Sequence, residues 1–233
     1  MLVTMSNWTP GTCLALILLG GCATTQKEDR DYLEQKNSSA QAARWHFDED
    51  RSGEPPKGWS IRETTPTESL ATWEAISDDT APSRPNVMAV SQTRNYNGTF
   101  NLAIAEGTSF KDIDLTISVK AVGGEEDQGG GPIWRCLDQN NYYICRFNPL
   151  ENNFRVYFVK NGKRRQLDSV QITTESGKWY TLRVKMVGED ISCYLDGKRL
   201  LEVEDSTFSE SGMIGLWTKA DAVTHFDDLT VLP

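Results

Sequence analysis

The chain reads as an all-β protein, a two-sheet antiparallel sandwich or jelly roll. Apolar and polar residues change places at every step of Ile113-Asp-Leu-Thr-Ile-Ser-Val-Lys120, and again in Tyr180-Thr-Leu-Arg-Val-Lys-Met186. That alternation marks strands with one buried face. Asn161-Gly162 and Asp196-Gly197 each fall between two such runs, and both dipeptides favour type I′ hairpin turns. No helical periodicity of useful length runs between residues 87 and 233. Short strands joined by tight turns pack as two sheets.

The first 21 residues have a different character. Residues 13–21 read Cys-Leu-Ala-Leu-Ile-Leu-Leu-Gly-Gly, and after Cys22 the chain turns polar, with Ala-Thr-Thr-Gln-Lys-Glu-Asp-Arg-Asp. A helix that crosses a bilayer takes about 20 apolar residues, so this run is too short to span. It suits the apolar region of a secretory signal over residues 1–21. Leu19-Gly20-Gly21-Cys22 resembles the lipobox of bacterial lipoproteins, in which the cysteine is acylated and becomes the new amino terminus. Residues 1–12 depart from the usual pattern in having no Lys or Arg. The other reading of Cys22 is an incidental cysteine in an ordinary signal. The resemblance implies a lipid anchor on a membrane outside the cytoplasm. Two or more acyl chains make such anchoring stable, at about 0.8 kcal/mol per buried methylene. Ala23, where an Asp would signal inner-membrane retention, implies the outer membrane in a cell that has one.

Residues 22–42 comprise the lipidated cysteine and a Gln/Ser/Asn-rich stretch without apolar periodicity, expected to act as a flexible tether. Residues 43–233 are the expected folded domain, within the size range of one all-β unit. Lys and Arg number 24 against 33 Asp and Glu, a net charge of −9. The signal segment has no charged side chains, so the excess belongs to the remainder. It argues against nucleic acid, whose phosphates it would repel, and against docking on anionic lipid. Seven tryptophans and seven tyrosines are enough for a core, with some to spare for stacking on a ligand.

Within the domain, residues 48–86 hold five prolines, Pro55, Pro56, Pro66, Pro82 and Pro85, which suggests irregular structure wrapped round a core. Ile133 to Phe147 reads as two strands joined through Asp138–Asn141. Regular alternation places Trp134, Cys136, Tyr143 and Cys145 on one face, and Arg135, Tyr142, Ile144 and Arg146 on the other. Two guanidiniums and a phenol on one strand face suit an oxygen-rich ligand, or else pair with nearby carboxylates. In the segment 212–228, inward Ile214 and Leu216 would send Trp217, Lys219 and Asp221 to the opposite face. There an indole can stack on a sugar ring while the charges reach its hydroxyls; a packed Trp beside a surface ion pair is the alternative. Cys136, Cys145 and Cys193 are an odd number for an oxidising compartment. A Cys136–Cys145 bridge across the hairpin and three buried thiols both remain open.

Taken together, Trp134-Arg135, the Asp-x-x-Asn-Tyr-Tyr run at 138–143, Asn148-x-x-Glu151-Asn152, and Gly215-Leu-Trp-Thr-Lys-Ala-Asp221 followed by Phe226-Asp-Asp resemble bacterial secreted domains with the concanavalin A-like lectin/glucanase fold. Within that group the chain is most similar to the 3-keto-disaccharide hydrolase-like domains, over roughly residues 43–233. The resemblance implies two curved antiparallel sheets with the ligand on the concave face. It points to Trp134, Arg135, Tyr142, Arg146, Trp217, Lys219 and Asp221 as ligand-binding residues.

Catalysis is less well marked. A retaining glycosidase needs two carboxyl groups about 5–5.5 Å apart, as a Glu-x-Asp-x-Glu strand supplies them. That pattern is absent; Glu202-Val-Glu204 follows a turn in an exposed-looking strand, and Glu125-Glu126-Asp127 lies in a Gly-flanked loop. For elimination on a keto sugar, Glu151, Asp221 and His225 are the candidate acid and base groups. Asp227-Asp228 is a candidate calcium pair, or simply an acidic strand end. No cofactor motif is present. Carbohydrate binding is the leading expectation; a glycoside hydrolase or lyase, and a non-catalytic structural or interaction lipoprotein, are the rivals.

Overall fold

The computed structural model describes residues 42–67 and 69–233; the expected signal, lipidation site and most of the tether lie outside them. The described chain forms strands β1 (Ala43–Trp45), β2 (Trp59–Thr64), β3 (Thr72–Ser77), β4 (Asn86–Gln92) and β5 (Phe100–Ala105). Then come β6 (Ile113–Gly123), β7 (Gly131–Asp138), β8 (Asn141–Asn148), β9 (Asn153–Lys160) and β10 (Lys163–Gln171). The last five are β11 (Trp179–Val187), β12 (Asp190–Leu195), β13 (Lys198–Glu204), β14 (Met213–Lys219) and β15 (Val223–Leu232). They build an eight-stranded sheet, β13-β12-β11-β6-β15-β4-β3 with β1 also on β15, and a seven-stranded sheet, β10-β9-β8-β7-β14-β5-β2. Each strand pairs antiparallel with its neighbours, as the alternation predicts.

Both expected turns close hairpins. Asn161 and Gly162 have φ of 52° and 74°, and Asp196 and Gly197 have 47° and 77°, the positive pair that a type I′ turn requires. The proline-rich stretch is more regular than expected, since it contains β2 and β3. Both are outermost strands in their sheets, and all five prolines lie beside the strands rather than within them, where a missing N–H costs no ladder bond.

The main core lies between the sheets and includes Trp73, Trp134, Tyr143, Phe147, Phe154 and Phe226. Trp134 stacks on Tyr143 at 5.5 Å and its indole N–H meets the Met186 sulfur, so this tryptophan is packing and offers no ring face to a ligand. Burying each such side chain stabilises the sandwich by about 1.5–3 kcal/mol.

One break in the alternation redirects the hairpin. The register of β7 against β8 slips between Trp134 and Asp138, and Arg135 adopts a left-handed φ of 43°. A bulge of this kind moves the following side chain to the other face. Arg135 therefore does not join Tyr142 and Arg146. Its guanidinium is buried and donates to the carbonyls of Lys111, Phe208 and Gly188, each at 2.7 Å. The same slip carries Cys136 away from Cys145, which lies with Cys193 in the main core while Cys136 joins a second cluster. A Cys136–Cys145 bridge is thus precluded, and all three thiols are free and buried. Gly212 makes the bulge possible, because a Cβ there would lie 2.4 Å from the Arg135 carbonyl carbon.

Replacing Arg135 by Ala leaves three carbonyls without their charged donor. Urea denaturation of R135A should show a loss of about 3 kcal/mol or more; a loss below about 1 kcal/mol would contradict the structural role.

Candidate functional site

The seven-stranded sheet curls strongly. Tyr142 of β8 reaches across the hollow face to share a 2.9 Å hydrogen bond with Thr64 of β2, and Thr64 also donates to the Gln139 carbonyl. Arg164 of β10 lies over Phe100 of β5, beyond four intervening strands, with its guanidinium 5.0 Å from the ring centroid. The second apolar cluster fills this hollow, with Leu102, Ile133, Ile144, Tyr157 and Trp217 among its members. Trp217 does face the hollow, as the alternation predicts, but only 1 % of it is exposed. It packs against Phe100 at 5.2 Å and lies under Arg164, so it forms no open platform. Burial pushes the Tyr142 phenol well above its ordinary pKa.

Polar groups gather at the Arg146 end of the hollow. Arg146 on β8 stands directly opposite Arg155 on β9, a like-charge pair that needs an anion between its members. Glu151, in the turn joining these strands, supplies it: Oε2 accepts from Arg146 at 2.8 Å and from Arg155 at 3.2 Å. Asn153 accepts from Arg146 at 2.8 Å and donates to the same Glu151 oxygen at 2.9 Å. The Tyr157 hydroxyl accepts from Arg146 at 3.2 Å. Arg164 lies over the Tyr157 ring at 4.6 Å and has no ion pair among the described residues. Burial is the largest cause of its lowered pKa, and the charge of Arg146 adds to it.

Asp127 and Lys219 continue the cluster. Asp221 organises the loop carrying Asp127, accepting from the backbone amides of Glu125, Glu126 and Asp127 at 2.6, 3.1 and 2.9 Å. Gly124 allows the tight return, since a Cβ would sit 2.0 Å from the Asp127 carbonyl oxygen. The loop is therefore fixed rather than freely solvated, and it buries Asp127 against Lys219 and Asn148, both at 2.9 Å. Burial raises the Asp127 pKa, with Arg146 and Lys219 offsetting only part of the rise.

Of the residues singled out by sequence, Arg146, Glu151, Lys219 and Asp221 belong to this end of the hollow, and Tyr142 and Trp217 lie buried deeper in it. Trp134 and Arg135 are in the core. The candidate acid and base groups do not meet. Asp221 holds a loop, Glu151 joins two arginines, and His225 is on the outer face of the other sheet. There His225 Nδ1 lies 2.7 Å from Asp78, which also accepts from Lys120. Burial, the largest influence on His225, lowers its pKa. Asp227 accepts from the Ser83 amide and hydroxyl at 2.8 and 3.0 Å, and Asp228 pairs with Arg44 at 2.8 Å. The sequence reading assigns no site role to Asp127, Asn153, Arg155, Tyr157 or Arg164. The alternation Asn153-x-Arg155-x-Tyr157 beside Arg146 is the signal that places three of them on one face.

The sequence model of the 3-keto-alpha-glucoside-1,2-lyase-like domains matches residues 47–232. The chain belongs to that family. Levanase of Bacillus subtilis (strain 168) is 27% identical over 143 residues, which make up 60% of this chain but 20% of the levanase. The chain thus spans about a fifth of that relative. Among solved structures, the carbohydrate-binding module CBM66 from Bacillus subtilis superposes with a TM-score of 0.60 at 18% identity, covering 76% of this chain and 96% of the module. Domain 4 of the arabinanase AbnA from Geobacillus stearothermophilus, solved with arabinotriose, gives 0.55 at 12% identity, covering 83% of this chain and 93% of that domain. The Bacillus licheniformis β-glucanase gives 0.56 at 8% identity, covering 84% and 99%. These likenesses establish the jelly-roll fold of the concanavalin A and glucanase type.

Burial acts to raise the Glu151 pKa, but the Arg146, Asn153 and Arg155 donors outweigh it and bring the value down from an ordinary 4.5 to about 2. A depressed carboxylate pKa adds stability above the unfolded value, and that stability is lost as pH falls through about 2. Thermal melts should therefore show E151Q less stable than the natural chain at pH 6, by on the order of 1 kcal/mol after solvent screening. The gap should close towards pH 2; a gap independent of pH would refute the assignment.

Proposed function

We propose that this protein is a lipid-anchored envelope protein whose jelly-roll domain binds carbohydrate in the hollow of the curled sheet, at the Arg146 end. The supporting observation is the Glu151 bridge between Arg146 and Arg155. It holds donors and acceptors in a fixed array round the Tyr157 ring, with Glu151 43% exposed and Arg155 26% exposed at the opening. Sugar hydroxyls both donate and accept, so an array alternating carboxylate, amide and guanidinium suits them. The named functions of the structural neighbours, a carbohydrate-binding module and an arabinanase domain solved with arabinotriose, support the same reading. The anchor rests on the Leu19-Gly20-Gly21-Cys22 resemblance, and Ala23 favours an outer membrane.

A lyase is the second reading, favoured by the family's name. Within the hollow, Asp127 beside Lys219 is the best base, being a buried carboxylate whose pKa is raised by burial. Time-resolved product analysis with 3-keto-glucosides would detect turnover, and D127N should abolish it.

Binding is tested with the full chain on a glycan array of neutral and acidic oligosaccharides, followed by calorimetry on the hits. R155A should weaken the best hit at least tenfold, about 1.4 kcal/mol, without loss of the fold. Failure to bind any glycan would end the binding proposal. For the anchor, C22S should move the protein from the membrane fraction to the soluble fraction and lose metabolic palmitate labelling. Unchanged labelling would place the acyl chain elsewhere.

A further inference from the structure

The hollow holds more positive charge than its neighbours neutralise. Arg146, Arg155 and Arg164 surround Tyr157, yet Glu151 is the one carboxylate that forms ion pairs with them among the described residues. Arg164 is held instead by rings, with its guanidinium 4.6, 5.0 and 5.9 Å from Tyr157, Phe100 and Trp217. Three donors are buried here with no acceptor among the described residues, Nε of Arg146, Nη1 of Arg164 and, on a neutral ring, Nε1 of Trp217. The Arg146 side chain is only 1 % exposed, so its Nε lies away from bulk solvent. A buried donor without an acceptor is unfavourable, and so are two like charges over one ring. A neutral hydroxyl would satisfy a donor and leave the repulsion in place. A carboxylate would relieve both, and guanidinium groups match its planar, two-oxygen geometry.

We propose that the ligand of this hollow is an acidic sugar, a hexuronate whose carboxylate accepts from Arg146 Nε and Arg164 Nη1. The inference rests on the carbohydrate-binding reading and narrows its ligand class. Arg164 is half-buried, follows the Asn161-Gly162 turn, and makes no ion pair with a described residue, so its guanidinium can turn to the ligand carboxylate without breaking one. The chain as a whole is acidic, with a net charge of −9, and repels long polyanions. The hollow therefore selects a terminal or isolated uronate over an extended polyuronate.

Calorimetry with the purified full chain provides the test. The probes are trigalacturonate, a glucuronate-bearing xylo-oligosaccharide and the methyl ester of each, with neutral fructo- and arabino-oligosaccharides alongside. At least one free acid should bind tenfold or more tightly than its ester, and the preference should weaken with added salt. R164Q should lose the preference. R165Q, which removes the same charge from the exposed opposite face of β10, should keep it. Equal affinity for acid and ester, or tighter binding of the neutral oligosaccharides, overturns the acidic-sugar inference and leaves the carbohydrate reading standing. Absence of binding to every probe, acidic and neutral, overturns both. Should R164Q fail to fold, the acid-to-ester ratio of the natural chain decides alone.

Discussion

The curl of the seven-stranded sheet is the constraint on which the site depends. Tyr142 and Thr64 hold β8 and β2 together across the hollow, and Arg164 covers what lies between. One end of the hollow is filled by the protein's own side chains, Phe100, Ile133 and Trp217 among them. At the other end the positions facing the hollow are Arg146, Asn153 and Arg155, on an unbroken β8–β9 ladder. The apolar end anchors the polar end. Arg146 lies four rungs from that clasp on the same strand, and its bonds to Glu151, Asn153 and Tyr157 hold its guanidinium in place.

The direct opposition of Arg146 and Arg155 gives that end its chemistry. Cross-strand partners of like charge repel, and a sheet tolerates them only when something intervenes. Glu151 does so from the connecting turn, and Asn148 fixes that turn by accepting from the Leu150 and Glu151 amides at 2.8 and 3.1 Å. A short sequence, Arg146 to Arg155, thus encodes strand, turn, bridging anion and second strand. Across the hollow the Asp221-bound loop performs the same service for Lys219 by delivering Asp127.

The sandwich could be read from the sequence because its signals are local. Alternation from Ile113 to Lys120 and the Asn161-Gly162 and Asp196-Gly197 turns each state their structure within a few residues. The site was only partly readable, for two physical reasons. Strict alternation assigns Arg135 to the hollow, but the bulge depends on Gly212, far along the chain, which leaves room for Arg135's backbone. Burial of Trp217 depends on how far the sheet curls, which no single strand specifies. Arg146 and Lys219 lie on the hollow side because each sits in an unbroken run of alternation. Arg155 and Tyr157 carried the same alternation signal, and Arg164 reached the site only through the curl.

β1 pairs with β15, so Ala43–Trp45 form rungs with Leu229–Val231 near the far end of the chain. Contacts of such sequence separation cannot form until nearly the whole domain is available, and folds dominated by them are slow to assemble. When a chain is delivered from its amino terminus, such a sandwich stays open until its last strand arrives. Completion of β15 then ties the start of the domain to its end, and a force applied at β1 loads the central β15 rather than a sheet edge.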